Sequence, residues 1–64
     1  MTFGERLRKI RIAKGITQTE LSQKVGISQY LLSWYENDRV QPTLSRIEWL
    51  CICLKVTATE LLGF

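Results

Sequence analysis

The sequence predicts an all-α domain built from five short helices. Two observations lead there. Helix-start signals of the Ser/Thr-x-x-Glu type occur three times, each opening a stretch whose apolar residues recur at three- and four-residue spacing. No segment shows the apolar–polar alternation of a half-buried strand.

The first helix, near 3–14, opens at "TFGE", where Thr2 and Glu5 can form a capping box. In that motif the cap hydroxyl accepts from a free N–H in the first turn and the glutamate accepts from the N–H of the cap. At 100° per residue, Phe3, Leu7 and Ile10 share its inner face, and Gly15 stops it. The second, 18–25, repeats the box with Thr17 and Glu20 and adds an Ile16–Leu21 staple; Leu21 and Val25 point inward and Gly26 ends it. The third, 29–37, has Ser28 as cap without a glutamate, a staple of Ile27 with Leu32, and Leu32 and Tyr35 inward, flanked by Leu31. The fourth, 44–54, follows Pro42, which holds the preceding chain out of helix, and Thr43 as cap. Its expected inner line is Leu44, Ile47, Leu50, Cys51 and Leu54. The last, 58–62, has Thr57 and Glu60 as a third box, Val56 with Leu61 as staple and Gly63 as stop.

Composition removes several function classes. Sixty-four residues make one domain (1–64), near the lower size limit for a core that folds without staples. Cys51 and Cys53 lie two apart on a helix and point in different directions, so no disulfide is expected. With no histidine, a C-x-C pair falls short of a four-ligand zinc site. No metal or cofactor is expected, and two half-buried reduced thiols suit a cytoplasmic protein. No apolar run nears the ~20 residues of a membrane span. Without histidine, and with little room for a cleft or a small-molecule pocket, no catalysis is expected. Nine Lys and Arg against six Asp and Glu give net +3, and five of the nine fall in "RLRKIRIAK" at Arg6, Arg8, Lys9, Arg11 and Lys14. That run suits a polyanion, mainly through a long-range field, and is equally consistent with a solvated face.

The stretch "GISQYLLSWYENDR" crowds Tyr30, Leu31, Leu32, Trp34 and Tyr35 into a few positions. With Leu32 and Tyr35 inward, Tyr30, Ser33, Trp34 and Asn37 fall on the opposite side, and Gln29 projects from the first turn. Exposed aromatics in one strip mark a contact site, unless Trp34 folds back over Leu31. Two short helices joined by a glycine-containing turn form a helix-turn-helix unit.

Here "ITQTELSQKVGISQYLLSWYEN" resembles the helix-turn-helix of the phage-repressor and Cro-like DNA-binding family. The likeness extends over nearly the whole chain: "RIAKG" closing a basic first helix, "YEN" closing the third, "PTL" opening the fourth and "VTATELL" near the end. It implies a compact lambda-repressor-like domain with helices 2 and 3 as the helix-turn-helix. It further implies a sequence-specific double-stranded DNA-binding transcriptional regulator, a repressor in the first instance. Such a protein binds a palindromic operator as a homodimer in a bacterial or phage setting, associated with the nucleoid. Carried over by position, Gln29, Tyr30, Ser33 and Trp34 face bases in the major groove. Gln18, Ser28, Asn37 and Arg39 meet the DNA backbone, while Arg11 and Glu36 form a structural ion pair. Three positions depart from the pattern: Asp38 stands where glycine is usual and sets a negative charge beside the DNA face, and Leu31 and Trp34 replace commonly polar residues. Gln29 can read adenine through N6 and N7. Tyr30 and Trp34 suit thymine methyls or sugars.

A second apolar surface is expected on the fourth helix, where Trp49 and Ile52 point away from Ile47, Leu50 and Leu54. Leu62 and Phe64 extend it at the C-terminus. The resemblance makes the C-terminal surface the dimer interface, Leu62 and Phe64 with Trp49 and Ile52 widening it. The competing reading is a protein-interaction module, an antitoxin or anti-repressor that docks its partner on Trp49 and Ile52; scattered surface apolar residues are the plain alternative. RNA binding fits poorly, because no platform for unstacked bases is apparent.

Overall fold

Every cap read from the sequence closes in the computed structural model of residues 1–64. The helices are α1 (Phe3–Ala13), α2 (Gln18–Val25), α3 (Gln29–Glu36), α4 (Leu44–Leu54) and α5 (Ala58–Leu62). Thr2, Thr17 and Thr57 each form the full reciprocal box. At α1 the Glu5 N–H donates to the Thr2 hydroxyl at 3.1 Å, and the Thr2 N–H donates to the Glu5 carboxylate at 2.8 Å. Ser28 and Thr43 accept from the N–H groups of Leu31 and Arg46. Gly26 and Gly63 take the left-handed conformation that ends α2 and α5. At α4 that position falls to Lys55, with φ 58, where no glycine marks the stop.

All five helices contribute to one core. Leu7, Leu21, Leu32, Leu50, Leu54 and Leu61 are fully enclosed, with Val25, Tyr35 and Cys51 beside them. α1 packs on α3 and α5, and α2 packs on α3 and α4. Leu44 departs from the expected inner line: it is 69% exposed, and the buried stripe of α4 starts with the half-buried Ile47. The angular position is right but the axial one is not. Side chains on a helix lean toward its N-terminus, so a leucine in the first position overhangs the end of the core. Cys51 is buried and Cys53 half-buried, and both are free thiols. Burial pushes both thiols above their ordinary value, so they stay protonated. No helix is long and apolar enough to cross a membrane.

α1 and α3 approach each other backbone to backbone. Gly4 is buried against the end of α3, and a Cβ on it would lie 2.5 Å from the Glu36 carbonyl oxygen and 2.6 Å from that of Tyr35. Directly after α3, Asp38 adopts φ 58 and turns its carboxylate onto the start of α1. The Gly4 N–H donates to Oδ1 at 2.9 Å and the Thr2 hydroxyl donates to Oδ2. The charge expected beside a DNA face is therefore engaged at the positive end of the α1 dipole, where an anion is stabilising. Arg6 does the converse, donating to the Leu62 carbonyl at the end of α5 at 3.2 Å.

Gly4→Ala must push α1 off α3 and is expected to cost ~1–3 kcal/mol, as overpacking does. Equilibrium urea unfolding measures this, and unchanged stability would show that the two backbones are further apart.

Candidate nucleic-acid interface

The turn from α2 to α3 is set by backbone chemistry. The N–H groups of Gly26 and Ile27 both donate to the Ser22 carbonyl, at 2.8 and 3.0 Å. With Gly26 left-handed at φ 84, the chain reverses within three residues and Ser28 opens α3. α3 then presents two unlike faces. Leu32, Tyr35 and Glu36 are buried. Ser28, Gln29 and Asn37 are exposed, Ser33 is half-buried, and Tyr30 and Trp34 are 79% and 49% exposed. Gln29, Tyr30 and Ser33 meet Gln18 around a shallow cleft of about 280 Å3. The Asn37 amide donates to the Ser33 carbonyl at 2.8 Å, closing the end of α3, and Arg39 is exposed beyond it.

Beneath this face lies a buried charge network. Arg11 Nε donates to Glu36 Oε2 at 2.6 Å and Nη2 to Oε1 at 3.2 Å, with both side chains almost wholly enclosed. Arg11 Nη1 donates to the Ile16 carbonyl at 2.9 Å. The Gln18 amide donates to Glu36 Oε1 at 3.0 Å, so the residue expected at a phosphate has a contact inside the fold that completes the ion pair. Arg8 joins Arg11, Gln18, Glu36 and Asn37 around an adjoining recess of about 390 Å3. The basic run thus divides. Arg6 and Arg11 make internal contacts, while Arg8, Lys9 and Lys14 are exposed.

On the surface of α4, Trp49 lies outward as expected but makes a contact the sequence did not suggest. Its ring is 45% exposed, but the indole N–H donates to the Val25 carbonyl at 3.0 Å. Cys53 donates to the adjacent Lys24 carbonyl at 3.6 Å. The last carbonyls of a helix lack partners within it, and two α4 side chains supply them for α2. Trp49 is therefore fastened to α2 and does not stand out as a free anchor. Ile52 and Phe64 are 63% and 86% exposed, and Leu62 is half-buried.

At the start of α2, the Glu20 carboxyl is held below its ordinary value by the Thr17 N–H and then by the Thr17 hydroxyl; Thr2 does the same for Glu5. Each capping carboxylate contributes stability above the unfolded carboxyl value, and that contribution is lost as pH falls through the lower folded value.

A family model described as a helix-turn-helix domain matches residues 2–62. The chain belongs to the helix-turn-helix family. This helix-turn-helix domain is 33% identical over 63 residues to the immunity repressor protein of Bacillus phage phi105. That match takes in 98% of this chain but 44% of the repressor, so the chain spans less than half of that relative's length. Among solved structures, it superposes on the restriction-modification controller protein C.AhdI from Aeromonas hydrophila with a TM-score of 0.89 at 32% identity, covering 94% of this chain and 91% of that one. On the P22 c2 repressor, solved with a synthetic operator, the TM-score is 0.88 at 29% identity, covering 97% and 94%.

Two outcomes follow from the helix-turn-helix geometry. Arg11→Met is expected to cost ~3–5 kcal/mol by leaving Glu36 buried without its cation, and Arg11→Met with Glu36→Leu to recover most of it; additive losses in urea unfolding would mean the pair is not coupled. Glu20→Ala is expected to lower the melting temperature at neutral pH, with the gap to the parent shrinking as pH drops through the carboxyl range. A gap independent of pH would exclude the charged cap.

Proposed function

We propose that this domain is the DNA-reading part of a transcriptional regulator, of repressor type, binding a palindromic operator in double-stranded DNA as a homodimer with α3 in the major groove. The observation that carries the reading is the outer face of α3. Gln29, Tyr30, Ser33 and Trp34 share one side of a helix whose other side is locked into the core. A single α-helix fits the major groove, and its N-terminal side chains reach base edges there. In this reading Gln29 recognises adenine, Tyr30 and Trp34 pack on thymine methyls or sugars, and Ser33 adds a hydroxyl. Ser28 at the cap, Gln18 and Asn37 at the two flanks and Arg39 beyond α3 meet phosphates, where they fix register without reading sequence. Arg8 joins that set, since it is exposed beside Gln18 and Asn37.

The P22 c2 repressor, whose fold this chain shares, is described in complex with an operator. The phi105 relative is an immunity repressor. Both support the regulatory reading, and with it a place at the bacterial nucleoid and no catalytic role. The dimer is assigned to Leu62 and Phe64, with Ile52 and the outer edge of Trp49 beside them. The rival reading docks a different protein on Trp49 and Ile52, and the tie of the Trp49 indole to α2 bears on both readings alike.

Selection of bound duplexes from a random pool at fixed salt tests the reading. It is expected to enrich a palindrome with half-site centres ~10 base pairs apart. On that duplex Gln29→Ala is expected to cost ~1–3 kcal/mol and relax one base pair per half-site, while Gln18→Ala weakens all duplexes alike. Equal losses on selected and random DNA would remove Gln29 from the groove. By light scattering, Leu62→Glu with Phe64→Glu is expected to give a folded monomer; a persistent dimer would move the two-fold axis elsewhere.

A further inference from the structure

We infer that Thr19 is a specificity-determining positioning residue, whose hydroxyl holds the Gln29 carboxamide in the place from which it pairs with adenine through two bonds and cannot do so with guanine. The inference rests on the reading of Gln29 as a base-contacting residue. A glutamine on the first turn of an exposed helix has three rotatable bonds, and its carboxamide can present either a donor or an acceptor to a given base edge. Left free, it is a poor discriminator.

Here it is held. The Thr19 hydroxyl donates to Gln29 Oε1 at 3.2 Å, across the cleft between α2 and α3. Thr19 is a well-anchored donor. It sits in the first turn of α2, inside the box that Thr17 and Glu20 close, and threonine χ1 has two accessible rotamers on a helix. The other amide in that cleft does not compete for the role, because Gln18 Nε2 is directed to Glu36.

The orientation has a chemical consequence. Oε1 has two acceptor sites, of which Thr19 takes one, and both Nε2 hydrogens stay available. A carboxamide keyed in this way offers a donor and an acceptor side by side. Adenine presents the complement, an N7 acceptor and an N6 donor, whereas guanine presents two acceptors at the same edge. Guanine sets an acceptor, O6 or N7, against Oε1 whichever way a carboxamide held in that place is turned. A side chain released from Thr19 can swing out of that place and give a single N–H to guanine O6 or N7 instead. In the unbound protein the Thr19–Gln29 bond is exposed to water. Docking on a duplex expels that water, and the restraint strengthens where the base is read.

The test is a comparison of base preferences, measured by selection from one random duplex pool, for the parent domain and the variants Thr19→Val, Thr19→Ser and Gln29→Ala. Thermal unfolding confirms that each is folded. The expected result is that Gln29→Ala flattens the profile at one position per half-site. Thr19→Val is expected to cut the adenine-over-guanine preference there by about three- to tenfold, the worth of one hydrogen bond, without changing affinity for a scrambled duplex. Thr19→Ser, which retains the hydroxyl, should keep the preference. If Gln29→Ala leaves the profile intact, the base-contact reading falls and the inference with it. If Gln29→Ala flattens it but Thr19→Val keeps full discrimination, only the role of Thr19 is overturned. A uniform loss on every duplex with Thr19→Val would likewise overturn it, making Thr19 a backbone contact.

Discussion

Arg11 and Glu36 face each other in the interior, 2.6 Å apart, with almost no solvent to share their charge. Removing two ions from water costs several kcal/mol each, and mutual attraction offsets this only when geometry is good and the remaining donors and acceptors are satisfied. Here they are. The carboxylate takes two bonds from the guanidinium and one from the Gln18 amide, and the third guanidinium nitrogen donates to the Ile16 carbonyl. The network joins α1, the α1–α2 loop, the first turn of α2 and the last turn of α3. An apolar pair could fill that space with equal stability, but it would carry none of these directional bonds between the three helices. Gly4 adds steric exactness to the same junction, where α1 lies against the terminal carbonyls of α3. The outer face of α3 can be exposed and aromatic because its inner face is so fully committed.

The helices were legible because a capping box is chemistry among four consecutive residues. Thr2, Thr17 and Thr57 with their glutamates need no tertiary context, and all three close. The division of α3 into inner and outer residues was legible too, since helical periodicity reports angle. It does not report position along the axis, which is why Leu44 reads as core and lies outside. What escaped the sequence is one class of contact, a side chain meeting a distant backbone or side-chain group. Asp38 to Gly4, Arg6 to Leu62, Trp49 to Val25 and Thr19 to Gln29 are all of this kind. The end of α4 was placed correctly, but the left-handed residue that makes it, Lys55, was not foreseen. Its left-handed conformation comes without a glycine, and Val56 is then bonded back to Cys51.

These distant contacts also change the electrostatics of the candidate interface. A net charge of +3 is modest, and part of the basic run is spent inside the fold. Asp38 is drawn onto α1, away from the surface that a duplex would meet. Arg8, Asn37 and Arg39 remain exposed at the flanks of α3, beside the half-buried Gln18. On the proposed reading, so few cations give a shallow salt dependence, and specificity falls to the few side chains on α3.

Methylation protection on a selected duplex tests the central claim, that α3 enters the major groove from a rigid two-fold assembly. Dimethyl sulfate reaches guanine N7 in the major groove and adenine N3 in the minor groove. The account predicts N7 protection in two patches about one helical turn, ~10 base pairs, apart, with N3 left reactive throughout. Protection of N3, or a single unsymmetric N7 patch at saturating protein, would contradict it.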